Sequence, residues 1–197
     1  MLVTFFACSA ALAESALMVG GRSPDGRYEV RISRVLVEVD RLLKRDATGY
    51  AIGIYWAGHS KPLHTLDGGG HLHYTAAVER CRAFWHSSSR FVAISDEPAR
   101  HSREVDVFDV STKPVRRFEL ADYVQNALGR IDSTEVDFAC VSTPKRWDGD
   151  DLIIELYFTA KGRHSYTCDV AFHLDGLNDS VAYLVLKQVT QPKESEG

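Results

Sequence analysis

Arg27-Tyr28-Glu29-Val30-Arg31-Ile32 sets a polar side chain beside an apolar one at every step. Side chains of an extended chain point alternately to opposite faces, so a period of two describes a strand with one wet and one buried face. The pattern returns at Tyr50 to Tyr55, Phe91 to Ser95, Glu104 to Val110, Val136 to Val141, Leu152 to Phe158, Tyr166 to Leu174 and Val181 to Val189. Clusters of Gly, Pro, Asp and Ser, the residues of tight turns, separate these segments. Val35 to Asp46 reads as a strand running into a charged loop. Only Ala121 to Arg130 carries a helical pattern, with Ala121, Val124, Ala127 and Leu128 on one face and Gly129 where a C-cap belongs. The expected fold is therefore all-β: an antiparallel β-sandwich, or a partial propeller-like arrangement of short sheets, with one short helix.

An internal repeat organises the strands. Ser23-Pro24-Asp25-Gly26-Arg27-Tyr28, His86-Ser87-Ser88-Ser89-Arg90-Phe91 and Trp147-Asp148-Gly149-Asp150-Asp151-Leu152 superpose as turn-then-strand units, with Gly26, Ser89 and Gly149 at equivalent turn positions 63 and 60 residues apart. Asp-Gly supplies the positive φ of a tight hairpin, and Pro24 presets a turn corner. Trp85 and Trp147 precede the second and third turns. Ser23-Pro24-Asp25-Gly26-Arg27-Tyr28, and the run Trp85 to Asp96 followed by Val105-Asp106-Val107-Phe108-Asp109-Val110, resemble blades of TolB-type β-propellers, whose pattern is W-S-P-D-G, an aliphatic strand, and a second strand ending in Asp. The resemblance covers about a third of the chain. It implies a hairpin architecture and assigns no functional residue. A closed propeller takes 4 to 8 blades, so three units imply open edges, which charges such as Arg31, Glu104 and Glu155 are expected to protect.

The composition, 45% hydrophobic and 25% charged over 197 residues, is that of a globular domain with a self-sufficient core. Lys and Arg number 23 against 27 Asp and Glu, a net charge of -4, so the broad basic field of a nucleic-acid binder is missing. Residues 1–13, MLVTFFACSAALA, carry no charge and end in the small-x-small pattern of a signal-peptidase site. The expected organisation is a signal peptide over 1–13, an all-β domain over 14–190 and a disordered polar tail over 191–197, giving a periplasmic or secreted protein with no integral membrane segment after leader removal. Cys8 as a lipidation site is the alternative. Cys81, Cys140 and Cys168 remain. If the strands around Cys140 and Cys168 flank a middle strand, those two thiols lie too far apart for a disulfide. Pairing of Cys81 with Cys140, or three reduced thiols, both remain open.

Candidate sites are few. Gly68-Gly69-Gly70-His71-Leu72-His73 places His71 and His73 on one face of a strand, the spacing of two metal-ligating imidazoles, with His59 and His64 within reach; a flexible hairpin with two wet histidines explains it equally. Asp148, Asp150 and Asp151, and Asp175, Asn178 and Asp179, gather oxygen ligands of the kind calcium takes, although turns favour the same residues. Gly58-His59-Ser60-Lys61-Pro62 lacks the last glycine of a nucleophile elbow. The clusters Arg100-His101-Ser102-Arg103 and Lys113-Pro114-Val115-Arg116-Arg117 are diluted by acidic neighbours. Trp56, Trp85, Trp147, Phe84, Phe91 and Tyr157 fit a β core or a platform for a sugar or peptide. No cofactor signature is present. The expected role is a binding or structural module for a protein, peptide or carbohydrate ligand; the alternative is a metal-dependent hydrolase using the His71/His73 strand.

Overall fold

Which strands carry apolar residues on one face and which on both decides how the sheets stack. The computed structural model describes residues 15–40, 45–66, 81–99, 102–120, 136–160, 164–175, 183–191 and 193–194. They form β1 (Ser15–Arg22), β2 (Tyr28–Asp40), β3 (Arg45–Trp56), β4 (Pro62–Thr65), β5 (Arg82–Trp85), β6 (Phe91–Ala99), β7 (Ser102–Asp109), β8 (Arg116–Glu119), β9 (Val136–Asp148), β10 (Asp151–Ala160), β11 (His164–Asp175), β12 (Tyr183–Val189) and β13 (Lys193–Glu194). The fold is all-β. One sheet runs β4-β3-β2-β1-β5-β6-β7-β8; the second runs β12-β11-β10-β9, with β13 added to β11. The leader expected over 1–13 and the helix expected over 121–130 fall outside the described residues.

The eight-stranded sheet is curled. β4 and β7 stand six places apart in its order, about 29 Å if flat at ~4.8 Å per strand. Yet the rings of His64 on β4 and Phe108 on β7 are 5.3 Å apart. The concave face thus closes on its own core of Met18, Val30, Ile32, Ile52, Ile54, Val92, Ile94 and Phe108. The opposite face of β6, β7 and β8 sends Phe91, Ala93, Val105, Val107 and Phe118 against Leu152, Ile154, Leu156, Phe158, Val170 and Phe172 of the second sheet. β6 is consequently buried on both faces: Phe91, Val92, Ala93 and Ile94 are all at most 1% exposed. That wall, shared by two cores, joins the curled sheet to the sandwich.

Three expectations are corrected. Pairing is not antiparallel throughout, because β5 meets β1 in parallel at Val19 and Arg82: the chain passes to the β4 edge and returns beside β1 in the same direction. Arg31 and Glu155 are not edge charges, since each is paired on both sides, whereas Glu104 pairs with Asp96 and the β7–β8 pairing on its other side starts at Asp106. The polar tail is not wholly without structure, since Lys193 and Glu194 pair with Thr167 and Tyr166; backbone hydrogen bonding to an available edge needs no apolar pattern. The strand around Val35 extends to Asp40, which pairs with Arg45.

The meander expected around the cysteines is present. Leu156 pairs with Ser142 on β9 and with Cys168 on β11, so the outer strands are separated by β10. Cys81 and Cys168 are both buried, in different cores.

Candidate functional site

Turns are where polar residues outnumber apolar ones, and five of them gather at one end of this molecule. Each of the three repeat turns carries a positive φ, 73° at Gly26, 60° at Ser89 and 60° at Gly149, and the first two sit at the same place in their turns. In the first two, the residue opening the turn donates its N–H across it: Ser23 to the Tyr28 carbonyl at 3.0 Å and His86 to the Phe91 carbonyl at 2.9 Å. The third is a two-residue hairpin between Asp148 and Asp151, and a positive φ at its first residue suits glycine there.

The turns are bonded to one another. The Asp25 N–H donates to Ser89 Oγ at 3.0 Å, and Val110 N–H to the Arg90 carbonyl at 2.9 Å. Ala57 N–H donates to the Arg27 carbonyl at 2.8 Å. Two indoles repeat one bond: Trp85 Nε1–H donates to the Gly21 carbonyl at 3.2 Å, and Trp147 Nε1–H to the Phe84 carbonyl at 2.9 Å. Each tryptophan thus fastens its unit to the strand that opens the preceding one.

His86 is the centre of this network and is 4% exposed. Its ring lies edge-on to Trp147 at 5.1 Å and to Phe91 at 6.2 Å. Ser88 N–H points at Nδ1 from 3.2 Å, so Nδ1 carries the lone pair and the neutral ring holds its proton on Nε2. Nε2–H then donates to the Gly149 carbonyl at 3.0 Å, with Asp150 Oδ1 at 3.1 Å. The Ser88 hydroxyl lies 2.7 Å from Nδ1, giving a continuous Ser88–His86–Asp150 chain.

Two carboxylates brace the same end. Asp109, 1% exposed, accepts from Arg90 Nη2 at 2.7 Å and from Ser111 Oγ at 2.7 Å. Burial pushes its pKa up, but the Arg90 and Ser111 bonds outweigh that and hold it below the ordinary aspartate value. Asp25 accepts from Ser23 Oγ at 2.8 Å and Arg27 N–H at 3.0 Å; against the upward push of burial, these bonds and the Arg27 guanidinium bring its pKa to about 2.

Beside this network is an aromatic stack. Tyr28 lies between Trp56, centroids 4.6 Å apart, and Trp85, 5.9 Å apart. The Arg27 guanidinium stands 5.7 Å from the Tyr28 centroid. Tyr28 is buried, and that burial raises its phenol pKa; Trp56 and Trp85 are partly exposed.

The residues singled out from the sequence divide accordingly. His71, His73, Asn178 and Asp179 lie outside the described residues. His59 sits in an exposed loop and lends its carbonyl to Arg31 Nη1 at 2.8 Å, while the His64 ring rests on Phe108. Asp150 turns to His86, whereas Asp151 bonds His173 Nδ1 at 2.6 Å and Lys187; Asp175 is exposed. Among the described residues no group of three His, Cys, Asp or Glu side chains is placed to hold a metal ion. Arg116 covers the Phe118 ring at 4.7 Å and Arg117 pairs with Asp106 at 2.8 Å. Phe91, Phe84 and Trp147 serve the inter-sheet core, while Tyr157 faces outward at 38% exposure. The Ser88–His86–Asp150 chain was not read from the sequence. Its signal is the repeat itself, because superposable turns that stack place residues about 63 positions apart in contact. Comparison with family models, curated proteins and solved structures returns no match.

Proposed function

We propose that the chain is an exported binding module that presents a protein, peptide or carbohydrate ligand site at the turn end of its curled sheet. The observation that carries this reading is the Trp56–Tyr28–Trp85 stack, whose outer rings are partly exposed at the end of the molecule where the turns are mutually braced. Aromatic faces stack on sugar rings and on peptide side chains, and rings whose strands are cross-bonded lose little freedom on binding. Arg27, exposed above Tyr28, adds a cation to the same surface. The repeated indole-to-carbonyl bonds support a common origin of the second and third units, in keeping with the resemblance to TolB-type blades.

Saturation-transfer NMR with a panel of soluble mono- and oligosaccharides and short peptides tests the site. Binding that disappears in Trp56→Ala and survives in Tyr157→Ala is the expected outcome; a panel without a binder, or one whose binders ignore Trp56, refutes it. N-terminal sequencing of protein recovered outside the cytoplasm tests export, with a start near Glu14 expected and an intact Met1 contradicting it.

A further inference from the structure

The geometry points to Ser88 as a nucleophile, activated by His86 and positioned by Asp150, that takes acyl groups from small, unhindered activated esters. A serine hydroxyl becomes nucleophilic when a neutral imidazole accepts its proton and a third group fixes that imidazole. Both conditions are met. Ser88 Oγ is 2.7 Å from His86 Nδ1, the nitrogen that carries the lone pair. His86 Nε2–H is held by the Gly149 carbonyl at 3.0 Å and Asp150 Oδ1 at 3.1 Å, both on the second sheet's hairpin. The imidazole is buried while Ser88 is exposed, so the base is shielded and the nucleophile is open.

The turn is also rigid and strained next to the hydroxyl. Ser89 has φ of 60°, the only positive value at a residue other than glycine among the described residues. Such a conformation is unfavourable for a residue with a Cβ and persists only where the surroundings enforce it. Here the Asp25 N–H on Ser89 Oγ does so. Arg90 N–H donates to Ser88 Oγ at 3.2 Å, fixing the oxygen from a second side.

In the acylation step Ser88 Oγ bonds to the ester carbonyl carbon and its proton passes to His86 Nδ1. The resulting imidazolium, stabilised through Nε2–H by Asp150, protonates the departing alkoxide as the ester C–O bond breaks. Water then attacks the Ser88 ester, again giving its proton to Nδ1. The carboxylic acid leaves, the serine hydroxyl is restored, and ester plus water has become acid plus alcohol. Because Ser88 stands on an exposed turn beside exposed Ser87, the turn offers little surface to hold an acyl chain, so the ester must be unhindered and activated by its own leaving group. This activity does not depend on the ligand site proposed above.

The test is labelling with a fluorophosphonate probe together with hydrolysis of p-nitrophenyl acetate. Wild-type protein is expected to take one adduct, mapped by mass spectrometry to Ser88. Ser88→Ala is expected to lose labelling at least tenfold while Ser87→Ala retains it. Asp150→Asn is expected to slow acylation at least tenfold with its melting temperature held near that of wild type. An unlabelled wild type, an adduct on another residue, or Ser88→Ala labelling as fast as wild type overturns the proposal. The adduct map needs no variant, so a misfolded mutant does not blunt the test.

Discussion

Gly20 and Gly26 have nearly the same φ, 72° and 73°, and very different surroundings, so replacing each by alanine separates backbone strain from steric conflict. A Cβ in the left-handed region costs about 1–2 kcal/mol, and the stiffer unfolded chain of alanine returns roughly 0.4–1 kcal/mol of it. At Gly26 nothing else intervenes, since no atom lies within 4 Å of the added carbon, and Gly26→Ala should cost about 1 kcal/mol. At Gly20 the same carbon would lie 2.2 Å from the Ala83 carbonyl oxygen. Backbone on β5 must then withdraw by about 1 Å, and the link most exposed to that movement is the Val19–Arg82 pairing that joins β1 to β5. Losing that backbone pairing and the Trp85 indole bond to Gly21, at about 1 kcal/mol each, brings Gly20→Ala to about 3 kcal/mol. For a domain of this size about 1 kcal/mol moves the melting temperature by ~2–4 °C, so about 6–12 °C is expected for Gly20→Ala against ~2–4 °C for Gly26→Ala. Urea titration followed by circular dichroism, with thermal melts beside it, measures both. Equal losses in the two variants would show that β1 and β5 separate freely and that the junction is not a fixed point of the sheet.

Phe158→Ala, at a side chain 1% exposed between the sheets, should cost about 3–5 kcal/mol in the same titration; a loss under about 1 kcal/mol would mean that the two sheets are not packed on one core. Trp147→Phe keeps a ring but removes the N–H that serves the Phe84 carbonyl, and a destabilisation of about 1–3 kcal/mol is expected, with an unchanged urea midpoint contradicting the role given to that bond. Acid should destabilise the fold. Asp25 at about 2, and Glu29, Asp109 and Asp151 also lowered, ionise more readily folded than unfolded, so their contribution is complete above the ordinary carboxylate range and is lost as pH falls through the lowered values. Melting temperatures should be flat from pH 7 to about 5 and fall steadily from about 4 towards 2; a melting temperature that rises on acidification below about 4 would reverse the sign.

How far the sequence reveals this molecule depends on whether a residue's environment is set locally. In β10 and β11 it is: Leu152, Ile154, Leu156 and Phe158 are buried in strict alternation with more exposed neighbours, and Tyr166 to Leu174 keep the same rhythm, so strand and buried face are both legible. Positive φ at Gly26 and Gly149 is legible for the same reason, because the glycine of a turn sets its conformation locally, whereas at Ser89 it is held by the Asp25 N–H from another unit. β4, β5 and β8 are four residues each, too short for a period to show. The unbroken run Phe91-Val92-Ala93-Ile94 departs from alternation because both faces of β6 are covered, the signature of a strand buried on two sides. Read as one more half-wet strand, it hides the curl that gives the concave core its second wall. The repeat likewise aligns three turns without showing that the first two share a sheet while the third faces them. That difference places Gly149 and Asp150 over His86 rather than in line with it. The Ser88–His86–Asp150 chain therefore exists only because superposable hairpins ended in opposite layers, with turns meeting at one end. A chemistry that depends on this meeting is carried by the stacking of the units, and no single unit contains it.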